Sequence, residues 1–137
     1  MLRPDEVVIL GGANDIMMGT GLKHTKENIM IMVEKARAAG IRPILCTLLP
    51  VDGPLLKRCW FSFYDADETI ARIDTYSQWI REYCEEQGLL CIDFNSLYPA
   101  YMKKAGFERM FRDGVHPTKD GYHILAEIFC DVYTEDK

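Results

Sequence analysis

An α/β fold built on a parallel sheet is what this sequence predicts, and three observations predict it. Three short apolar runs, at residues 7–10, 41–48 and 89–94, lack the polar alternation of a half-exposed strand. Between them lie longer stretches whose apolar residues recur at helical spacing. A last amphipathic stretch closes the chain, so the order is strand, helix, strand, helix, strand, helix. Strands separated by helices pair in parallel through right-handed crossovers.

Each element has a local cause. Val7-Val8-Ile9-Leu10 is a run rich in β-branched residues, stopped by Gly11-Gly12, and it reads as a fully buried strand. Thr25 is placed to cap the next helix, whose inner face carries Ile29, Met32, Val33 and Ala36. Gly40 ends that helix in the position where a left-handed residue is needed. The second strand, residues 41–48, has Pro43 near its start and Pro50 just beyond it. Residues 51–67, with Gly53, Pro54 and the aromatic group Trp60, Phe61, Phe63 and Tyr64, read as an irregular surface excursion.

A long helix follows, with Ile70, Ile73, Ser77, Ile80 and Cys84 on one face and Gly88 as its stop. Residues 89–94 form the third strand, and residues 98–111 a short helix and a turn. Thr118 caps the final helix, whose expected buried stripe is Tyr122, Leu125, Ala126, Phe129 and Tyr133. In such a sheet, ligands bind at the carboxyl ends of the strands. The segments expected there are Asn14 after the first strand, residues 47–50 after the second, Asn95 and Ser96 after the third, and the loop leading into the last helix.

Composition bounds the function. The 137 residues suffice for one domain with a substantial core. A net charge of −5, from 16 basic and 21 acidic residues, argues against a nucleic-acid-binding face. No apolar run approaches a membrane span. Five cysteines, Cys46, Cys59, Cys84, Cys91 and Cys130, make no C-x-x-C pair and no zinc-finger spacing. They read as buried thiols of a reducing, cytoplasmic compartment. The methionines read as core filler. His24 reads as a solvated residue and His123 as a partly packed one.

The chemistry is concentrated in two short motifs. In Asp113-Gly114-Val115-His116-Pro117, carboxylate and imidazole are three residues apart in a glycine-proline loop. That spacing lets Asp113 orient His116 locally, the base half of a nucleophilic hydrolase. In Gly11-Gly12-Ala13-Asn14-Asp15, the Asn14 amide follows an apolar strand, where it can donate to a developing oxyanion. Taken singly, the first motif is a surface turn and the second a strand-to-helix turn. Taken together, both fall at the same predicted sheet edge.

These residues resemble the SGNH hydrolase family, also known as GDSL-type lipases and acylhydrolases. Residues 8–15 resemble the family's third block, G-x-N-D, with Ala13 where Thr is frequent. Residues 71–79 resemble the helix that usually carries Asn at the position of Asp74. Residues 113–117, with Gly121-Tyr122, resemble the fifth block. The resemblance implies a three-layer, flavodoxin-like α/β/α fold and a serine esterase acting on a small acyl ester. It implies His116 as general base, Asp113 as its orienter, Asn14 as one oxyanion donor, and no metal or organic cofactor. The family's two earlier blocks, carrying the nucleophilic Ser and an oxyanion Gly, have no match here.

The expectation is therefore a partial SGNH domain over residues 1–137, lacking an N-terminal strand–helix–strand unit. It has no nucleophile of its own, and Ser96 is a less unsuitable substitute than Ser62 or Ser77. Without the neighbouring strand, Val7-Val8-Ile9-Leu10 is left as a sheet edge, and self-association through that edge is expected. The alternative is a non-catalytic binding or assembly module on the same fold.

Overall fold

The computed structural model describes residues 3–60, 65–106 and 110–136. Three strands, β1 (Glu6–Ile9), β2 (Arg42–Cys46) and β3 (Leu90–Ile92), form a parallel sheet in the order β1-β2-β3. The helices are α1 (Ala13–Met17), α2 (Leu22–Ala38), α3 (Gly53–Trp60), α4 (Ala66–Gln87), α5 (Phe94–Ala105) and α6 (Lys119–Glu135). The architecture is the expected three-layer α/β/α arrangement. Sequential strand order with crossovers of one hand puts α2 and α4 on the same face of the sheet.

The alternation of β2 separates two cores. Leu45 packs with Ile29, Val33, Ile73, Tyr76 and Ile80 of α2 and α4, whereas Ile44 and Cys46 pack with Ile92, Tyr98, Ile124 and Ile128 on the opposite face. Caps fix several helix ends. Asp65 accepts from the Glu68 N–H at the start of α4, and Thr118 accepts from the Gly121 N–H at the start of α6. Gly88 ends α4 in the left-handed conformation. Arg42 bridges Glu6 and Asp136, at 2.9 and 2.5 Å, and the Tyr133 hydroxyl donates to Glu6, so the end of α6 is tied to the start of β1.

Several expectations need correction. Residues 51–67 are not an irregular excursion, because α3 occupies Gly53–Trp60 and α4 begins at Ala66. The aromatic residues Phe61, Phe63 and Tyr64, and Ser62, lie outside the described residues. Helix α2 begins at Leu22, not after Thr25. Leu22 packs on the first core and draws the helix a turn earlier, and Thr25 is buried within it. Helix α5 begins at Phe94, capped by Asp93, so that Phe94 and Tyr98 are both buried; Pro99 falls inside it.

The inner face of α6 is Gly121, Ile124 and Ile128, with Tyr122 56% exposed. His123 and Ala126 are exposed too. Met18 and Met32 lie on the surface rather than in the core, as do Cys59 and Cys130 among the five free cysteines. His24 is exposed as expected, beside Glu27. Among the described residues no helix is long and apolar enough to cross a membrane, and no three metal-capable side chains cluster.

Strand β1 is an edge, paired among the described residues with β2 alone. The apolar run alone reads as a fully buried strand, whereas the resemblance leaves it at a sheet edge; Val8 and Leu10 are each 47% exposed. Val8 is in register with Ile44 and so faces the α5/α6 side of the sheet, where those helices pack over Ile44, Cys46 and Ile92.

Candidate functional site

The segment from Met110 to Thr118 closes on itself as a narrow loop. Phe111 and Pro117 form an antiparallel bridge, the Arg112 N–H donates to the His116 carbonyl at 2.8 Å, and the Thr118 N–H donates to the Met110 carbonyl at 2.8 Å. Within it Asp113 serves two purposes. Its Oδ1 accepts the N–H groups of Val115 at 3.1 Å and His116 at 2.9 Å, which fixes the turn. Its Oδ2 lies 2.8 Å from His116 Nδ1. A proton on Nδ1 leaves Nε2 as the basic nitrogen of the neutral ring. The His116 side chain is 56% exposed.

Burial pushes the Asp113 carboxyl up, but hydrogen bonds from the His116 N–H, the His116 ring and the Val115 N–H outweigh it and hold the group below its ordinary value. A depressed carboxylate stabilises the fold above the unfolded-state range, near pH 4, and that contribution is lost as pH falls through the folded-state value. Substituting His116→Ala should raise the Asp113 titration midpoint, followed by carboxyl carbon NMR, partway toward an unperturbed aspartate. The two backbone donors remain, so the rise is partial. An unchanged midpoint would show that the ring bond contributes nothing.

Helix α3 holds this loop from outside, a role that reading residues 51–67 as irregular concealed. The Asp52 N–H donates to the Gly114 carbonyl at 3.0 Å, and the Trp60 indole N–H donates to the Asp113 carbonyl at 3.1 Å. The Trp60 and His116 ring centroids are 6.5 Å apart. The signal for this helix was present. Asp52 caps it through the Leu55 N–H, and Pro54 sits in its first turn, where a missing N–H does no harm.

At the end of β1, Gly12 has φ of 106° and starts the short helix α1 without a side-chain cap. Asn14, one turn-step further, is exposed. The Tyr76 hydroxyl of α4 donates to the Gly11 carbonyl at 3.1 Å and fixes the turn from below. The two motifs border one cavity of about 130 Å³. Gly11 and Ala13 line it from the Asn14 side and Val115 from the His116 side, with Leu49, Pro50 and Ile73 between.

The serines are placed otherwise. Ser77 is fully buried in α4 with no hydrogen-bond partner for its hydroxyl. Ser96 lies in the first turn of α5, its N–H on Asp93 and its hydroxyl within 3.3 Å of Arg81. Asp93 also accepts from Thr47 at 2.9 Å and Arg81 at 3.0 Å, so this end of β3 is a structural knot that joins β2, α4 and α5. Asp74 accepts from the Asn95 amide at 3.3 Å.

Comparisons with known proteins agree with this fold. A Bacteroides fragilis protein assigned as an acylhydrolase superposes with a TM-score of 0.74 at 28% identity, covering 97% of this chain and 62% of its own. A GDSL-like lipase from Bacteroides thetaiotaomicron superposes with a TM-score of 0.72 at 25% identity, covering 98% of this chain and 64% of its own. A catalytic mutant of an acetylxylan esterase from Geobacillus stearothermophilus shares the fold, with a TM-score of 0.73 at 22% identity over 94% of this chain and 59% of its own. The chain thus spans less than two thirds of the length of these proteins. A comparison with curated proteins returned no match. The model of the GDSL-like lipase/acylhydrolase family matches residues 1–124, and the chain belongs to that family.

Proposed function

We propose that Asp113, His116 and Asn14 are the orienter, general base and one oxyanion donor of a serine acylhydrolase site that cleaves a small acyl ester. The observation that carries this reading is the 2.8 Å pairing of His116 Nδ1 with Asp113 Oδ2 in an exposed loop bordering the same cavity as the Asn14 turn. In the complete reaction a serine oxygen bonds to the ester carbonyl carbon, and His116 Nε2 takes its proton. The carbonyl oxygen becomes an oxyanion that the Asn14 amide solvates, a single donor being worth about 3–4 kcal/mol. Collapse breaks the ester C–O bond, His116 returns the proton to the departing alkoxide, and water then repeats the sequence on the acyl-serine.

No serine in the described residues has the setting of a nucleophile, since Ser77 is buried and Ser96 is engaged at the start of α5. We therefore expect this chain alone to turn over p-nitrophenyl acetate no faster than buffer. Robust turnover abolished by Ser96→Ala would overturn that expectation. The other reading, a non-catalytic module derived from the same fold, is separated from the first by the coding DNA. An in-frame Gly-Asp-Ser upstream of Met1 supports the enzyme, and its absence supports the module.

The open edge of β1 supports a further expectation. Its exposed Val8 and Leu10, on a strand that pairs among the described residues with β2 alone, favour self-association by strand pairing. Light scattering at high protein concentration should give a mass above that of one chain, and a persistent monomer would count against pairing.

A further inference from the structure

The cavity between the two motifs has a size and a lining that select a ligand. Its wall is apolar, made by Leu10 at the end of β1, Leu48 and Val51 after β2, Ile73 from α4 and Val115 from the Asp113–His116 loop. Leu48 and Ile73 are core residues, each 3% exposed, so that part of the wall belongs to the packed core. Ala13 and Val115, the chain neighbours of Asn14 and His116, also line the cavity. An apolar space lined by the neighbours of the proposed oxyanion donor and general base suits the hydrocarbon arm of an acyl group.

We infer that this cavity is the acyl subsite and that it admits a short aliphatic chain, with Ile73 as the residue that sets its length. The inference rests on the acylhydrolase reading of Asn14 and His116. A cavity of about 150 Å³ holds the six carbons of benzene, so one of about 130 Å³ holds an arm of about five. Acetyl groups underfill it, and fatty acyl chains extend beyond the buried wall. Ile73 lines the cavity from a helix packed in the core, so a shorter side chain there enlarges the subsite without opening a loop.

The test uses unreactive analogues, the methyl ketones from acetone to 2-decanone, titrated into the protein with methyl NMR of Val115 and Ile73 as the reporter. Each methylene buried should lower Kd about fourfold. We expect that gain to continue to an arm of about five carbons and then to stop. Ile73→Val should move the break one carbon outward, with the Ile73 reporter replaced by Val115 alone. Val51→Phe, which fills the cavity instead of enlarging it, should move it inward, so the outcome does not depend on one variant folding. A constant gain through all the ketones, no gain at all, or a break indifferent to both variants would overturn the inference.

The side-chain amide of Asn14 and the ring of His116 are read in the same spectra. A length break at Val115 and Ile73 without a response at Asn14 and His116 keeps an apolar pocket but removes its acyl role and the acylhydrolase reading. A response at Asn14 and His116 without a length break removes the subsite and leaves that reading intact.

Discussion

Gly114→Ala is expected to destabilise the fold by about 3–5 kcal/mol and to lift the Asp113–His116 loop from its support. Two costs combine. Gly114 has φ of 97°, a backbone conformation that an L side chain adopts only with strain. A Cβ built there would stand 2.5 Å from the Leu56 nitrogen, 2.8 Å from Leu56 Cα and 2.9 Å from the Asp52 carbonyl oxygen. All three obstacles are backbone of α3 and its cap, so no side-chain rotation relieves them. The loop must move, and with it go the Asp52 N–H to Gly114 bond and the Trp60 bond to Asp113. Urea unfolding at pH 7 measures the loss. A cost below 1 kcal/mol would mean that α3 does not hold the loop.

Gly12→Ala should cost about 2–4 kcal/mol for a related but softer reason. Its φ of 106° is again left-handed. Here the added Cβ would meet side chains, Thr25 Cγ2 at 2.8 Å and the Tyr76 ring and hydroxyl at 3.0 Å. Tyr76 holds the Gly11 carbonyl, so pushing it aside loosens the turn that presents Asn14. Because one obstacle is a methyl group, Thr25→Ser in the Gly12→Ala background should recover part of the loss. Unfolding of the single and double variants measures both effects, and strict additivity of the two changes would contradict the packing account.

The contrast between these glycines bears on how much the sequence disclosed. The alternation of strands and long helices was legible because each strand is a short apolar run and each long helix a repeated face. The Asp113–His116 pair was legible because donor and acceptor are three residues apart, so no distant contact is needed to bring them together. Trp60 was not, because its hydrogen bond to Asp113 spans 53 residues and nothing local marks an indole as a brace.

The α6 stripe was displaced for a similar reason. Gly121 must face inward because its Cβ position lies 2.5 Å from the Met110 carbonyl and 2.7 Å from the Tyr98 hydroxyl. That fixes the helix rotation on Ile124 and Ile128 and turns Tyr122 outward, although Tyr122 is the larger apolar residue. Periodicity alone weighs side-chain size and cannot see a close backbone approach.

The central claim is that Asn14 and His116 face one bound group across the cavity that both motifs border. Butylboronic acid tests it directly, because its tetrahedral boronate joins a short alkyl arm to anionic oxygens without requiring a nucleophile from the protein. Followed by nitrogen-edited NMR, the Asn14 side-chain amide and the His116 ring should shift together and fit a single Kd, and Asn14→Ala should weaken that Kd about tenfold or more, the loss of a hydrogen bond to a charged group. A response at one residue without the other, or two unrelated dissociation constants, would contradict the account.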